Sequence, residues 1–202
     1  MGTGKASRLL ESDRFWEICE KAAHIFAQKG FDRTSLDDIA AVLKITKPGL
    51  YYYFSSKDEL LYTIIEFYWE KLYQGFKNRA VDLDDPLEML RYIIANHLRF
   101  VITNREASLL VEEKYALRED YRKAYEKKEK EYADAVRDEV LQLQRKGLLR
   151  ADVDATVVTY SLFSLINMVH RWYNPKGRIP PEKYIRQITD MFLHGLVPPA
   201  KR

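Results

Sequence analysis

Nowhere in this chain do apolar and polar residues alternate over a sustained stretch, whereas apolar residues recur three and four apart between strong helix start and stop signals. A half-buried strand needs a period of two and a surface helix one of 3.6, so the pattern predicts an all-α protein of about nine helices. The first stripe is Phe15, Ile18, Cys19, Ala22, Ala23 and Phe26, on a helix expected from about 7 to 29 and stopped at Gly30. Phe31 to Thr34 read as a loop. Ser35 with Asp38 forms a capping box for a helix over about 36–42, and Leu43 to Ile45 make a turn. Thr46 is the next N-cap, with Pro48 in the first turn, where its missing N–H has no helical partner to lose. Ser56 and Glu59 open a long helix over about 57–79.

Beyond the break at Asp82 to Pro86, helices are expected over about 87–103, from Asn104 to about 115, 118–146 ending at Gly147, 154–173, and 181–194 after Pro180 and Pro181. The charged stretch REDYRKAYEKKEKEY within 118–146 suits a solvent-facing helix laced by i, i+4 pairs. Residues 153–173 are nearly uncharged, but Asp154, Ser161, Ser164, Asn167, His170 and Arg171 interrupt the run too often for a membrane span. Burial between neighbouring helices or between subunits explains them more simply.

Three consecutive tyrosines follow the Lys-Pro-Gly step in ITKPGLYYYFSSKDEL, residues 45–60. Successive helical residues are about 100° apart, so Tyr51, Tyr52 and Tyr53 cannot share one interior. Leu50 and Phe54, four apart, take the inward face. Two short helices joined by a tight turn describe a helix-turn-helix, the second offering Thr46, Lys47, Gly49, Tyr51 and Tyr52 to a groove. Lysine suits phosphates and guanine edges, hydroxyls donate to phosphates, and glycine admits the backbone closely. Such a pattern also occurs in domains that bind nothing. Residues 1–57 carry nine Lys/Arg against seven Asp/Glu, and the whole chain has a net charge of +3, so charge alone does not choose.

The lone Cys19 excludes an internal disulfide framework and a cysteine-based zinc site, and its neighbours mark it as a small core residue. Histidines 24, 97, 170 and 194 lack metal-ligand spacing, and His97 among Ile93, Ile94 and Val101 reads as a satisfied core histidine. No nucleophile–base pairing or phosphate loop is visible, so neither an enzyme nor a cofactor is expected. The first residues lack an apolar signal region, and a cytoplasmic location is expected.

The run GFDRTSLDDIAAVLKITKPGLYYYFSSKDELL resembles the DNA-binding head of TetR-family transcriptional regulators. That family shows G-[FY]-x-x-T-[ST], then D-I-A, a short turn, and G-x-L-Y-x-[HY]-F-x-[SN]-K-x-x-L. Tyr53 stands where histidine is common. The resemblance implies a helix-turn-helix domain over 1–56 and an effector-binding and dimerisation domain over 57–202. It further implies DNA contacts from Ser35, Thr46, Lys47, Tyr51, Tyr52, Tyr53 and Lys57, with Leu50 and Phe54 bracing the helix. Lys5 and Arg8 would belong to an arm or to a tail without a role. Homodimers of the family set two such heads on a pseudo-palindromic operator.

In the family the last two long helices pair across the dimer as a four-helix bundle. Here that face would carry Val157, Tyr160, Ser161, Ser164, Leu165, Met168, Ile188, Met191 and Phe192. An effector pocket is expected among the helices from 87 to 173, linked to the head by the helix from 57. Phe67, Trp69, Phe100, Tyr115, Tyr121, Tyr125, Asn167 and His170 are its candidate lining, though a residue of this kind at such spacing is more often core than ligand contact. The Trp172-Tyr173-Asn174-Pro175-Lys176-Gly177-Arg178 step resembles the acyl-CoA-responsive subgroup, though a rigid turn explains it as well. An apolar or acyl-CoA-like effector is therefore expected. Glu66, Glu112 and Glu113 keep a multidrug-responsive efflux repressor open, and a DNA-bound scaffold without a ligand is the reading from another class.

Overall fold

The computed structural model describes residues 13–77 and 87–197, whose regular structure is helical throughout. In chain order it comprises α1 (Asp13–Lys29), α2 (Leu36–Leu43), α3 (Lys47–Tyr51), α4 (Lys57–Lys77) and α5 (Glu88–Thr103). These are followed by α6 (Arg105–Glu112), a 3₁₀ turn (Glu113–Ala116), α7 (Glu119–Arg145), α8 (Ala155–Asn167), α9 (Val169–Trp172) and α10 (Pro181–Leu196). The expected elements are all present, with 154–173 divided in two. Residues 7–12 of the first helix, 78–79 of the fourth, the break at 82–86 and the Lys5/Arg8 arm lie outside the described residues. No helix among the described residues is long and apolar enough to cross a membrane.

The chain divides into two compact units: one runs to Trp69 and includes Glu106–Tyr125, the other joins Glu70–Arg105 to Glu126 onward. In the first, α1 buries the predicted stripe of Phe15, Ile18, Cys19, Ala22, Ala23 and Phe26, with Ile25 added. Leu36, Ile39, Ala40 and Leu43 of α2 and Leu60, Leu61, Ile64 and Ile65 of α4 complete the core. Gly30 ends α1 at φ 84° with its N–H on the Phe26 carbonyl (2.8 Å), a left-handed cap that a β-carbon would strain. The Thr34 hydroxyl, buried, donates to the Gly30 carbonyl (2.9 Å) and holds the following loop closed. Two side chains tie α1 and its loop to the α6 region: His24 Nδ1 meets Glu106 Oε1 at 2.6 Å, and the Phe31 N–H donates to Glu113 Oε1 at 3.4 Å.

The second unit is built around α5, which packs on α10, α8 and α9. Leu90, Ile93, Ile94, Leu98 and Val101 supply its apolar stripe. Arg91 reaches Asp190 (3.0 Å) and Arg99 grips Glu182 with two bonds (3.0 and 2.8 Å), fixing α5 against α10 at its rim. Helix α7 pairs its exposed charges as expected, Lys130 to Asp134 at 2.6 Å among them, yet it also buries Tyr125, Tyr132, Ala133, Val136, Val140 and Leu143. The charge pattern had hidden this inward stripe.

The division between α8 and α9 has a local cause. In an unbroken helix the Asn167 carbonyl would accept from the Arg171 N–H. Instead it accepts from His170 Nδ1 (2.7 Å), and the Arg171 N–H turns to the Met168 carbonyl (3.2 Å). Asp154 caps the start of α8 through the Thr156 and Val157 N–H groups (2.7 and 3.3 Å). Beyond α9, Tyr173 stacks on Tyr184 (4.5 Å) and donates to the Ile179 carbonyl (2.7 Å), locking the loop before α10.

Burial pushes the Cys19 thiol up to about 12. Its thiolate is thus absent near neutrality, and a maleimide should label it only as fast as the head unfolds, which stopped-flow labelling at pH 7 against denaturant will measure. His97 is buried, but contrary to expectation its Nδ1 has no hydrogen-bond partner among the described residues. Burial pushes its pKa down to about 4, so the unfolded chain binds the proton first and stability falls as pH drops from about 6.5 towards 4. The difference corresponds to about 3 kcal/mol, fully present above the ordinary histidine value and lost by the folded one. Urea titrations at pH 7 and pH 4.5 should show that pH-dependent loss shrinking in a His97→Leu variant.

Candidate nucleic-acid interface

Helix α3 has five residues, too few to persist alone, and its geometry is imposed from both ends. At its start the Thr46 hydroxyl accepts the Gly49 N–H (3.2 Å), and Pro48 occupies the second helical position. A β-carbon on Gly49 would sit 3.2 Å from that hydroxyl, so the cap itself favours glycine here. Before it, Lys44 takes the left-handed conformation at φ 54° and the Ile45 N–H reaches back to the Ala40 carbonyl (3.0 Å), closing α2. Behind α3, Leu50 and Phe54 are fully buried, Phe54 with its ring 5.1 Å from that of Phe15.

That anchoring decides what faces outward. Tyr51 is 45% and Tyr52 54% exposed. Tyr53 is half-buried, with its ring 6.4 Å from Phe15 and edge-on to Tyr52 at 5.2 Å. Thr46 and Lys47 are exposed, and Lys47 lies 5.9 Å from the Tyr51 ring centre. An open groove of about 560 Å³ runs along the starts of α2, α3 and α4, bordered by Arg33, Ser35, Asp37, Lys47, Tyr51 and Lys57. Of the eight residues expected at DNA, Ser35, Lys47, Tyr51 and Lys57 border this groove together; Thr46, Gly49, Tyr52 and Tyr53 belong to α3 and its ends.

Several of these groups already have partners. The Ser35 hydroxyl accepts the Asp38 N–H (3.1 Å), while that hydroxyl (2.6 Å) and the Ser35 backbone N–H (2.9 Å) both donate to Asp38 Oδ2 and hold its carboxyl below the ordinary range. Lys57 donates to the Phe31 carbonyl (2.8 Å) and lies 4.1 Å over the Phe31 ring, so it also fastens the loop after α1. Asp37 accepts from Lys47 at 2.9 Å, and that hydrogen bond with its charge raises the lysine pKa. Ser56 caps α4 through the Glu59 N–H (3.0 Å), but the Glu59 carboxylate answers to the Ser55 N–H and hydroxyl (2.6 and 2.5 Å), not to Ser56. Arg33, Asp37 and Ser55 were not singled out from the sequence. Asp37 could have been, since the first turn of α2 and the start of α3 must meet across so tight a turn.

The residues expected to line an effector pocket separate between the units. Phe67, Trp69, Tyr115, Tyr121 and Tyr125 belong to the first, and Phe100, Asn167 and His170 to the second. Trp69 and Tyr125 meet edge-on (5.6 Å), whereas Phe67 packs on Trp16 (4.2 Å) and Tyr121 stacks on Tyr62 (4.4 Å). Tyr115 is 71% exposed, Phe100 is half-buried, Asn167 is exposed, and His170 is buried as the side-chain cap of α8. No group of acidic, histidine or cysteine residues among the described ones could hold a metal ion.

A braced helix-turn-helix with its reading helix turned outward, carried on a chain with a second helical unit, defines a transcriptional regulator of the helix-turn-helix class. The profile "Bacterial regulatory proteins, tetR family" matches residues 18–63 and "Tetracyclin repressor-like, C-terminal domain" matches residues 83–196. The chain belongs to the TetR family and is a ligand-responsive transcriptional regulator of that kind. It is 25% identical over 194 residues to the HTH-type transcriptional repressor KstR2 of Mycobacterium tuberculosis, covering 92% of this chain and 94% of that one. A solved TetR/AcrR-family regulator from Thermobifida fusca matches with a TM-score of 0.72 and 32% identity, over 95% of this chain and 100% of that one. AibR, solved with isovaleryl coenzyme A and operator DNA, matches with a TM-score of 0.80 and 28% identity, over 93% and 100% of the two chains.

Opposite outcomes are expected for two neighbouring substitutions. Tyr52→Ala should weaken operator binding while changing stability by less than about 1 kcal/mol, as at exposed sites. Leu50→Ala should cost roughly 2–5 kcal/mol of stability, and lose binding because α3 is no longer held. Fluorescence anisotropy on operator DNA beside urea denaturation separates the two.

Proposed function

We propose that the protein is a dimeric repressor that grips a pseudo-palindromic operator through paired α3 helices and lets go when an acyl-CoA-like or other apolar effector occupies the larger domain. The observation that carries the DNA half is the outward face of α3, held rigid by Leu50 and Phe54 at its back. On this reading Ser35, Thr46, Lys47, Gly49, Tyr51, Tyr52, Tyr53 and Lys57 meet the duplex. The lysines take phosphates or a guanine edge, the hydroxyls donate to phosphates, and Gly49 admits the backbone. Two heads would occupy successive major grooves, about one helical turn apart.

Dimerisation through α8 and α10 is supported by what those helices leave uncovered. Val157, Tyr160, Leu165, Met168 and Met191 are large apolar side chains exposed in the single chain. Ser161 and Ser164 lie exposed beside them, and Ile188 and Phe192 are half-buried. A face this apolar is what a second copy would cover.

The acyl-CoA half draws support from AibR, whose structure holds isovaleryl coenzyme A, and the repressor half from likeness along almost the whole chain to the repressor KstR2. Release is then a population shift: the effector must bind the arrangement that cannot span the operator more tightly than the one that can, by about 1.4 kcal/mol for each tenfold loss of affinity. A pocket for aromatic cations has less support, because Arg118 already lies over the Tyr121 ring (4.5 Å) and Lys114 near that of Tyr125 (5.6 Å).

Titrating isovaleryl-CoA, decanoyl-CoA and, separately, a cationic dye into the protein–operator complex tests the reading. Release by a CoA thioester at micromolar concentration, with no response to the dye, is the expected result. Release by the dye alone would favour the multidrug reading. Indifference to all three would leave a ligand-free scaffold as the better account.

A further inference from the structure

Among the four histidines, His24, His170 and His194 have Nδ1 engaged, with Glu106 Oε1 (2.6 Å), the Asn167 carbonyl (2.7 Å) and the Asp190 carbonyl (2.7 Å). His97, in the middle of α5, does not. Its ring is buried and Nδ1 is without a hydrogen-bond partner among the described residues. Leaving such an atom dry costs stability, and a leucine at this position would avoid the cost.

The surroundings are aromatic. The His97 ring lies 5.7 Å from both Tyr132 and Phe163, which stack on each other at 5.4 Å with planes 19° apart. Phe76 meets Tyr132 edge-on at 5.4 Å, and Tyr73 stacks on Phe76 at 5.9 Å. Tyr132 is buried, while Tyr73, Phe76 and Phe163 are half-buried, so the cluster runs from a sequestered imidazole to rings that water still reaches. All five residues belong to the second unit. Aromatic rings gathered about one buried polar group have the composition of a site for an apolar ligand.

We propose that His97 Nδ1 is the polar contact of the effector site, donating a hydrogen bond to one carbonyl oxygen of an otherwise apolar acyl group seated against Phe76, Tyr132 and Phe163. The proposal rests on reading the second unit as the effector domain. The oxygen must be uncharged, because a neutral imidazole cannot offset the desolvation of a carboxylate. Burial keeps the ring neutral at physiological pH, which agrees with that choice. The aromatic faces supply apolar contact and the single N–H sets where along the acyl chain the carbonyl must lie. From the sequence His97 reads as a satisfied core histidine, and Phe76, Tyr132 and Phe163 do not stand out at all.

The test compares decanoyl-CoA with S-decyl-CoA, the thioether that lacks only the carbonyl, by calorimetry and by release of the protein from its operator. Wild type should bind the thioester at least tenfold more tightly than the thioether. His97→Leu should bind both at the thioether's level, and without ligand should melt no lower than wild type at pH 7. His97→Asn, whose amide falls near the position of Nδ1, should keep the preference, whereas His97→Gln, which reaches towards Nε2, should lose it. Should His97→Leu fail to fold, the Asn and Gln pair decides the matter. An undiminished thioester preference in His97→Leu or His97→Gln overturns the proposal alone. A wild-type complex untouched by either compound and by isovaleryl-CoA overturns the acyl-CoA reading, and this proposal with it.

Discussion

The burial of Leu50 and Phe54 behind a five-residue helix is the constraint on which the DNA-reading surface depends. So short a helix gains too little from its own hydrogen bonds to exist without packing, so its orientation is set by the core of the head. Once those two side chains point inward, the 100° step turns Tyr51 and Tyr52 outward, while Lys47, three residues before Leu50, is exposed at the position that opens the helix. Thr46 and Pro48 sharpen the start, and the left-handed Lys44 sets the angle at which the chain arrives. The residues that hold the head together and those proposed to meet DNA therefore lie close together on one turn of helix.

Electrostatics acts on this surface with restraint. The head has nearly as many acids as bases, and Lys47 meets Asp37 before it meets any phosphate. Lys57 is likewise engaged with the loop after α1. A surface so balanced attracts DNA weakly at long range and depends on fit at short range.

The second unit follows another logic. Ion pairs at the rim between α5 and α10 are exposed and contribute little beyond register, while the apolar stripe of α5 holds the unit together. Within that apolar interior stands an imidazole, buried, whose Nδ1 has no hydrogen-bond partner among the described residues. A buried polar atom left unmet calls for a physical reason, and the proposed effector contact supplies one.

How much could be read before any coordinates follows from the range of each interaction. Caps, glycine stops and the inward pair Leu50 and Phe54 are local, acting within about one helical turn, and so the helices and the outward face of α3 were legible in the order of residues. The inward stripe of α7 was obscured by its charges, and the break at Met168 depends on His170 taking a backbone carbonyl, a competition that periodicity does not report. Aromatic residues in the larger domain posed the hardest case, since a ring at helical spacing looks the same whether it fills a core, lines a site or, like Tyr115, faces water. Local backbone chemistry determined the elements and the reading helix from sequence alone. Which rings gather round His97, and which atom among them is left without a partner, only the tertiary structure decided, because those contacts join residues from four different helices.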